Sequence, residues 1–202
     1  MDFRPFAFPA LVLLMLTSAA LLLSQNWRWS IIALAAQYFG VFVLTLLPWS
    51  VGMAATKLIS GWIACSVLWI GITEAGTVRT ESWKELDRSW PSGRIFRMLA
   101  VLLVMLIVPT IAPHVSELSP ALSLPQAWAG LVLIGLGLLQ LGFTAHPLRV
   151  VAGLLTILSG FEIIYAVVES SLLVAGLLSM ANLGLAITGA YLIMVPMMEE
   201  TG

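Results

Sequence analysis

Apolar residues fill this chain in long continuous blocks, each closed by a short polar break, and do not alternate with polar residues. Continuous blocks of this length point to membrane-crossing helices and argue against an outer-membrane barrel, whose strands alternate. The blocks run roughly from Ala7 to Ser24, Ser30 to Leu47, Val51 to Thr73, Ile95 to Ala112 and Trp128 to Thr144. Two more lie between Arg149 and Val195, joined by Glu169-Ser170-Ser171. The expected fold is therefore an all-α polytopic membrane protein of about seven transmembrane helices. The fourth span reads as the weakest, being short, opened by Arg94 and Arg97 and carrying Pro109 near its end. His114 to Ala127 reads as a Pro/Ser loop.

Only one long segment, Glu74 to Arg97, is polar. In it Trp83, Leu86 and Trp90 recur at helical spacing among Arg79, Lys84, Asp87 and Arg88, the pattern of an amphipathic helix lying on a bilayer. Seven spans place Arg28, Arg79, Lys84, Arg88, Arg94, Arg97 and Arg149 on one side and Arg4 on the other. The positive-inside rule then makes the basic side cytoplasmic, with the N-terminus outside and the C-terminus inside, in a cell inner (plasma) membrane. A re-entrant fourth span would move only Arg149, so charge counting also allows six spans. The first span is too long for a signal-peptide core, and only Arg4 precedes it, so it is expected to remain in the mature protein.

Composition sharpens this picture. The 202 residues are 60% hydrophobic and 9% charged, where soluble domains carry about a quarter charged residues. Cys65 is the only cysteine, so no intrachain disulfide forms, and its place in an apolar span reads as core. No Cys/His cluster, phosphate loop or nucleophile elbow is present, and His114 and His146 fall at span ends on opposite sides. Catalysis, a cofactor, a metal and a nucleic-acid partner therefore have no support; the lipid bilayer is the one partner that composition implies.

Against this background a few polar groups inside the spans stand out. Glu162 lies seven residues before the break at 169–171 and Asn182 about twelve after it, depths of roughly 10 and 18 Å. Gln37 and Lys57 flank Pro48-Trp49-Ser50 in the same way, at roughly 16 and 12 Å. Lys57 and Glu162 are the two ionisable residues singled out in the interior, and an ionisable group at such depth faces protein or a wet cavity by default. Thr56, Thr156, Ser159 and Thr188 are candidates to hold water between them. Such groups suit a proton relay; they equally suit holding helices together or binding a neighbouring subunit.

Sliding the chain by 125 residues lays Gln37 on Glu162 and Lys57 on Asn182, and both halves begin with a Leu-Val-Leu span, Leu11-Val12-Leu13 and Leu131-Val132-Leu133. The expectation is two parallel three-helix repeats plus a connecting helix. The first unit is 1–75, the amphipathic segment, connecting span and outer loop are 76–125, and the second unit is 126–202. Transporter folds often place polar sites where such repeats meet. Gly153, Gly160, Gly176, Gly184 and Gly189 are expected to permit close helix packing.

Ala54-Ala55-Thr56-Lys57-Leu58-Ile59-Ser60-Gly61, with this two-unit layout, resembles the hydrogenase-4 component E family. Those are membrane subunits of energy-converting hydrogenases, similar in fold to complex I subunit K and Mrp antiporter component C. Arg149-Val-Val-Ala-Gly153 is similar to the Arg-x-x-x-Gly opening of the penultimate region of component E. Gly160-Phe161-Glu162 is similar to a Gly-Leu-Glu of subunit K. Ala181-Asn182-Leu183-Gly184-Leu185-Ala186 resembles the subunit K string that follows a Glu, but the Glu position here is Met180. The resemblance implies a non-catalytic membrane subunit of a complex-I-like, multisubunit oxidoreductase. It would contribute to proton or sodium translocation through buried charges and bind no cofactor. Its partners would be antiporter-like and redox subunits. The alternatives are a structural or assembly subunit of such a complex, and a stand-alone small-solute transporter with its site between the repeats.

Overall fold

The computed structural model describes residues 4–24, 26–75, 94–117, 119–144 and 146–200, and every regular element among them is helical. After a 3-10 turn at Arg4–Phe6 come α1 (Ala7–Leu23), α2 (Trp27–Thr45), α3 (Val51–Glu74), α4 (Arg94–Glu117), α5 (Leu124–Gly142), α6 (Pro147–Val168) and α7 (Leu172–Glu200). Six of the seven are long and apolar enough to cross a membrane, as a multi-pass membrane protein requires. The exception is α1, apolar but only 17 residues long, roughly 25 Å. The amphipathic segment centred on Trp83, Leu86 and Trp90 lies outside the described residues.

The fourth span is not weak. It has the most apolar window of the six and runs on through Pro109 and Pro113 to Glu117. Prolines leave carbonyls without their helical donors, yet neighbouring groups keep such a helix intact in lipid. With α4 running to Glu117 and α5 starting at Leu124, both ends of the expected loop from His114 to Ala127 are helical. The start of α5 is fixed by a capping box: Ser123 N–H and its hydroxyl both donate to Gln126 Oε1, at 3.1 and 2.6 Å.

Packing arranges the helices as two facing rows. Within one row α1 packs on α2 and α2 on α3; within the other α5 packs on α6 and α6 on α7. Across the rows α1 meets α5, α2 meets α6 and α3 meets α7, while α4 lies outside against α5 and α1. Facing helices start at Ala7, Trp27 and Val51 in one row and Leu124, Pro147 and Leu172 in the other, separations of 117, 120 and 121 residues. The expected 125-residue slide paired polar positions, Gln37 with Glu162 and Lys57 with Asn182, and differs from these separations by four to eight residues.

Close approach is achieved with glycine. A Cβ on Gly160 would sit 2.7 Å from the Gly130 carbonyl oxygen, and one on Gly137 would sit 2.9 Å from that of Gly153. These two glycine pairs let the α5 and α6 backbones touch, the usual device where hydrophobic driving force is absent. Gly189 similarly abuts Val151 and Leu68. Gly176 and Gly184 have open space beside them and pack against nothing, contrary to expectation.

At the basic end, the Asn26 side chain caps α2 by accepting from Arg28 N–H at 3.1 Å. Trp27 packs at 4.9 Å between ring centres on Trp69, and the Arg28 guanidinium lies over the Trp27 ring. Arg149 donates to the Ser24 carbonyl at 3.2 Å and so ties the first turn of one row to that of the other. The opposite, short-turn end is tied by Trp49, whose indole N–H donates to the Glu169 carbonyl at 3.0 Å.

Candidate functional site: a polar seam between the two rows

The helices α2, α3, α7 and α6 form a closed ring of contacts, and each contributes buried polar residues: Gln37, Lys57, Asn182 and, from α6, Thr156, Ser159 and Glu162. Lys57 comes six residues after the start of α3 and Glu162 six before the end of α6, so both lie roughly 9 Å from the short-turn end. α3 and α6 are diagonal in the ring, and the lysine side chain spans the gap. Its ammonium Nζ donates to Glu162 Oε1 in an ion pair whose two residues are wholly buried. Burial of this kind demands a partner, because an isolated charge in a low-dielectric interior costs several kcal/mol. The second carboxylate oxygen, Glu162 Oε2, has no hydrogen-bond partner among the described residues.

A second polar layer lies deeper. Gln37 Nε2 donates to Thr156 Oγ1 at 3.3 Å across the α2–α6 contact, and Thr156 in turn donates to the Ala152 carbonyl at 2.7 Å. Gln37 Oε1 is left without a partner among the described residues. Asn182 sits fully buried on α7 with neither side-chain polar atom partnered among the described residues. Gly71 meets Ala190 and Gly189 meets Leu68, contacts 119 and 121 residues apart, which set Asn182 level with residues 61–63 of α3. That is one to two turns, roughly 6–9 Å, beyond Lys57.

Tyr38 joins the two layers. It is fully buried next to Glu162, Ser159 and Cys65, and its ring lies flat against Gly61, where a Cβ would come within 2.3 Å. Neither the Tyr38 hydroxyl nor that of Ser159 is in bonding geometry with a described partner. The interior therefore holds one ion pair surrounded by unpartnered donors and acceptors on α2, α6 and α7. Buried polar groups in this state ordinarily recruit water, given room and two or more polar partners.

Of the residues singled out from the sequence, Lys57, Glu162, Gln37, Thr156, Ser159 and Asn182 all face this interior. Thr56 and Thr188 do not: both are exposed, with hydroxyls donating to the Met53 and Gly184 carbonyls of their own helices. Sequence reasoning passed over Tyr38, Gln126 and Gln140. Gln126 donates to the Leu44 carbonyl at 3.2 Å, and Gln140 to that of Arg149 at 2.9 Å, so each amide staples two chain segments. Amides inside or beside apolar spans were the available signal for both. Nothing comparable marks a tyrosine, which is common in cores and interfaces alike.

Among the described residues no three His, Cys, Asp or Glu side chains group in a way that holds a metal ion. No known protein family, curated protein or solved structure matches this chain.

Proposed function

We propose that this chain is a membrane subunit of a complex-I-like energy-converting module, of the hydrogenase-4 or quinone-oxidoreductase type. In this reading two parallel three-helix units, α1–α3 and α5–α7, enclose a proton- or sodium-conducting seam, and α4 is the connector that restores direction. Redox chemistry belongs to partner subunits, and antiporter-like neighbours continue the line of buried charge. The N-terminus and the short-turn end face outward and the basic end faces the cytoplasm, as the arginine distribution requires.

The observation that carries this reading is the Lys57–Glu162 pair. It joins the two units inside the ring, and its second oxygen Oε2, like several polar groups of the seam, has no partner among the described residues. A charge pair that is both buried and incompletely satisfied is a poor structural device but a suitable relay. The test is Glu162→Gln, Lys57→Met and their double variant, each scored for assembled complex and for ion uptake in membrane vesicles. Relay function predicts lost uptake in whatever complex assembles. Normal uptake at normal yield in all three would remove both residues from the mechanism.

A second reading, that of a structural or assembly subunit, draws on the pair being formed already: Lys57 and Glu162 then only clamp α3 to α6. It predicts that the double variant assembles and supports full uptake, whereas the singles fail to assemble.

A further inference from the structure

One turn from the ion pair toward the short-turn end, the interior turns apolar. Met53 precedes Lys57 by four residues, Ala166 follows Glu162 by four, and both pack with Trp49 and Ala175 into one small cluster. Trp49 is buried, and its bond to the Glu169 carbonyl ties the turn after α2 to the break after α6 at this end. Beyond this layer lies a cavity of about 690 Å³ lined by Pro48, Ser123, Gln126, Ala166, Val167 and Ser170, among others. Ala166 belongs to both the cavity wall and the apolar cluster. The last carbonyls of α6 lack helical donors. They and the Ser123 and Ser170 side chains give the wall hydrogen-bonding groups suited to water.

We propose that this cavity is the aqueous antechamber of the Lys57–Glu162 pair, taking water and the protons it carries, and that Trp49 is the plug between them. The proposal rests on the translocation reading for its purpose, but the cavity and plug are tested without it. Roughly 6 Å of helix separates Ala166 from Glu162, so tilting one indole out of the layer connects bulk water to the carboxylate. Size and position favour a tryptophan here: it fills the mouth with one rigid group, and its N–H supplies a latch that can open and re-form.

The experiment uses single cysteines in a Cys65→Ala background, with the full chain in membrane vesicles. A permanently charged methanethiosulfonate is supplied to both faces, so the result does not depend on orientation. Val167→Cys is expected to react at least tenfold faster than Ser159→Cys in the seam, with Ala166→Cys slow in the otherwise intact chain. Adding Trp49→Ala should speed Ala166→Cys at least tenfold, and Trp49→Phe, which keeps a ring but loses the latch, at least threefold. Reaction of Val167→Cys only with an apolar maleimide would mean a lipid-filled cavity and overturn the antechamber. An Ala166→Cys rate unmoved by Trp49→Phe, the milder change for a chain that does not tolerate Ala, would overturn the plug. The expected labelling together with normal uptake in Glu162→Gln leaves the cavity and plug standing and removes only their role in translocation.

Discussion

Lys57 of α3 and Glu162 of α6 meet at the same depth, across the diagonal of a four-helix ring rather than between neighbouring helices of it. Such a pair is expensive to break and cheap to replace. Lys57→Met leaves the carboxylate with no partner, a loss of about 3–5 kcal/mol by analogy with other severed buried pairs. Glu162→Gln keeps an acceptor oxygen for the ammonium and should lose less. The double change removes both charges and should regain most of the folded yield, giving a strongly non-additive cycle in detergent thermal-stability measurements. Additive losses would mean that the two side chains do not interact in the membrane.

A steric prediction separates two glycines that look alike in the sequence. Gly61→Ala forces a methyl into the Tyr38 ring and should destabilise the fold by about 1–3 kcal/mol, the usual range for overpacking. Gly184→Ala meets nothing within 4 Å and should be neutral or slightly stabilising, since alanine is the better helix former. Melting temperatures of the two purified variants decide this; equal effects would contradict the packing of α2 on α3.

Topology offers an independent check. Reporters fused at the N-terminus and inserted after residue 120 should both read outside, and a C-terminal reporter should read cytoplasm. The 24 residues of α4 allow a full crossing between residue 93 and that insertion point. A cytoplasmic signal from the insertion would make α4 re-entrant.

Depth was legible in the sequence, and direction was not. Counting residues from the two short breaks sorted Lys57 and Glu162 into a shallow layer and Gln37 and Asn182 into a deeper one, because helical rise is constant. The face on which each residue sits was hidden, since spans apolar all round carry no amphipathic stripe. Thr56 illustrates the point: adjacent to Lys57 in sequence, it is turned about 100° away and exposed. The 125-residue slide paired Gln37 with Glu162, residues at two different depths, whereas the starts of the facing helices α2 and α6 lie 120 residues apart.

Thr156 isolates the contribution of the deeper layer to stability. Thr156→Ser keeps the hydroxyl that accepts from Gln37 and should be close to neutral. Thr156→Val keeps the shape and deletes the acceptor, leaving the buried Gln37 amide with no partner, at a loss of about 1–3 kcal/mol. A Val variant as stable as wild type would show that the amide finds another partner in the seam.

Asn182 provides the sharpest division between structure and function. Neither of its polar atoms bonds to a described residue, yet it is wholly buried on α7. Were packing its only role, an apolar residue of similar volume would serve better, because an unsatisfied buried amide costs about 1–3 kcal/mol. Asn182→Leu should therefore raise the melting temperature or leave it unchanged. A hydrated seam needs that amide, in the deeper layer with Gln37, to hold water leading to the ion pair, so the same variant should lose ion uptake while assembling normally. Stability and uptake measured on one preparation resolve the question. Full uptake in a stabilised Asn182→Leu protein would exclude Asn182 from the conducting path.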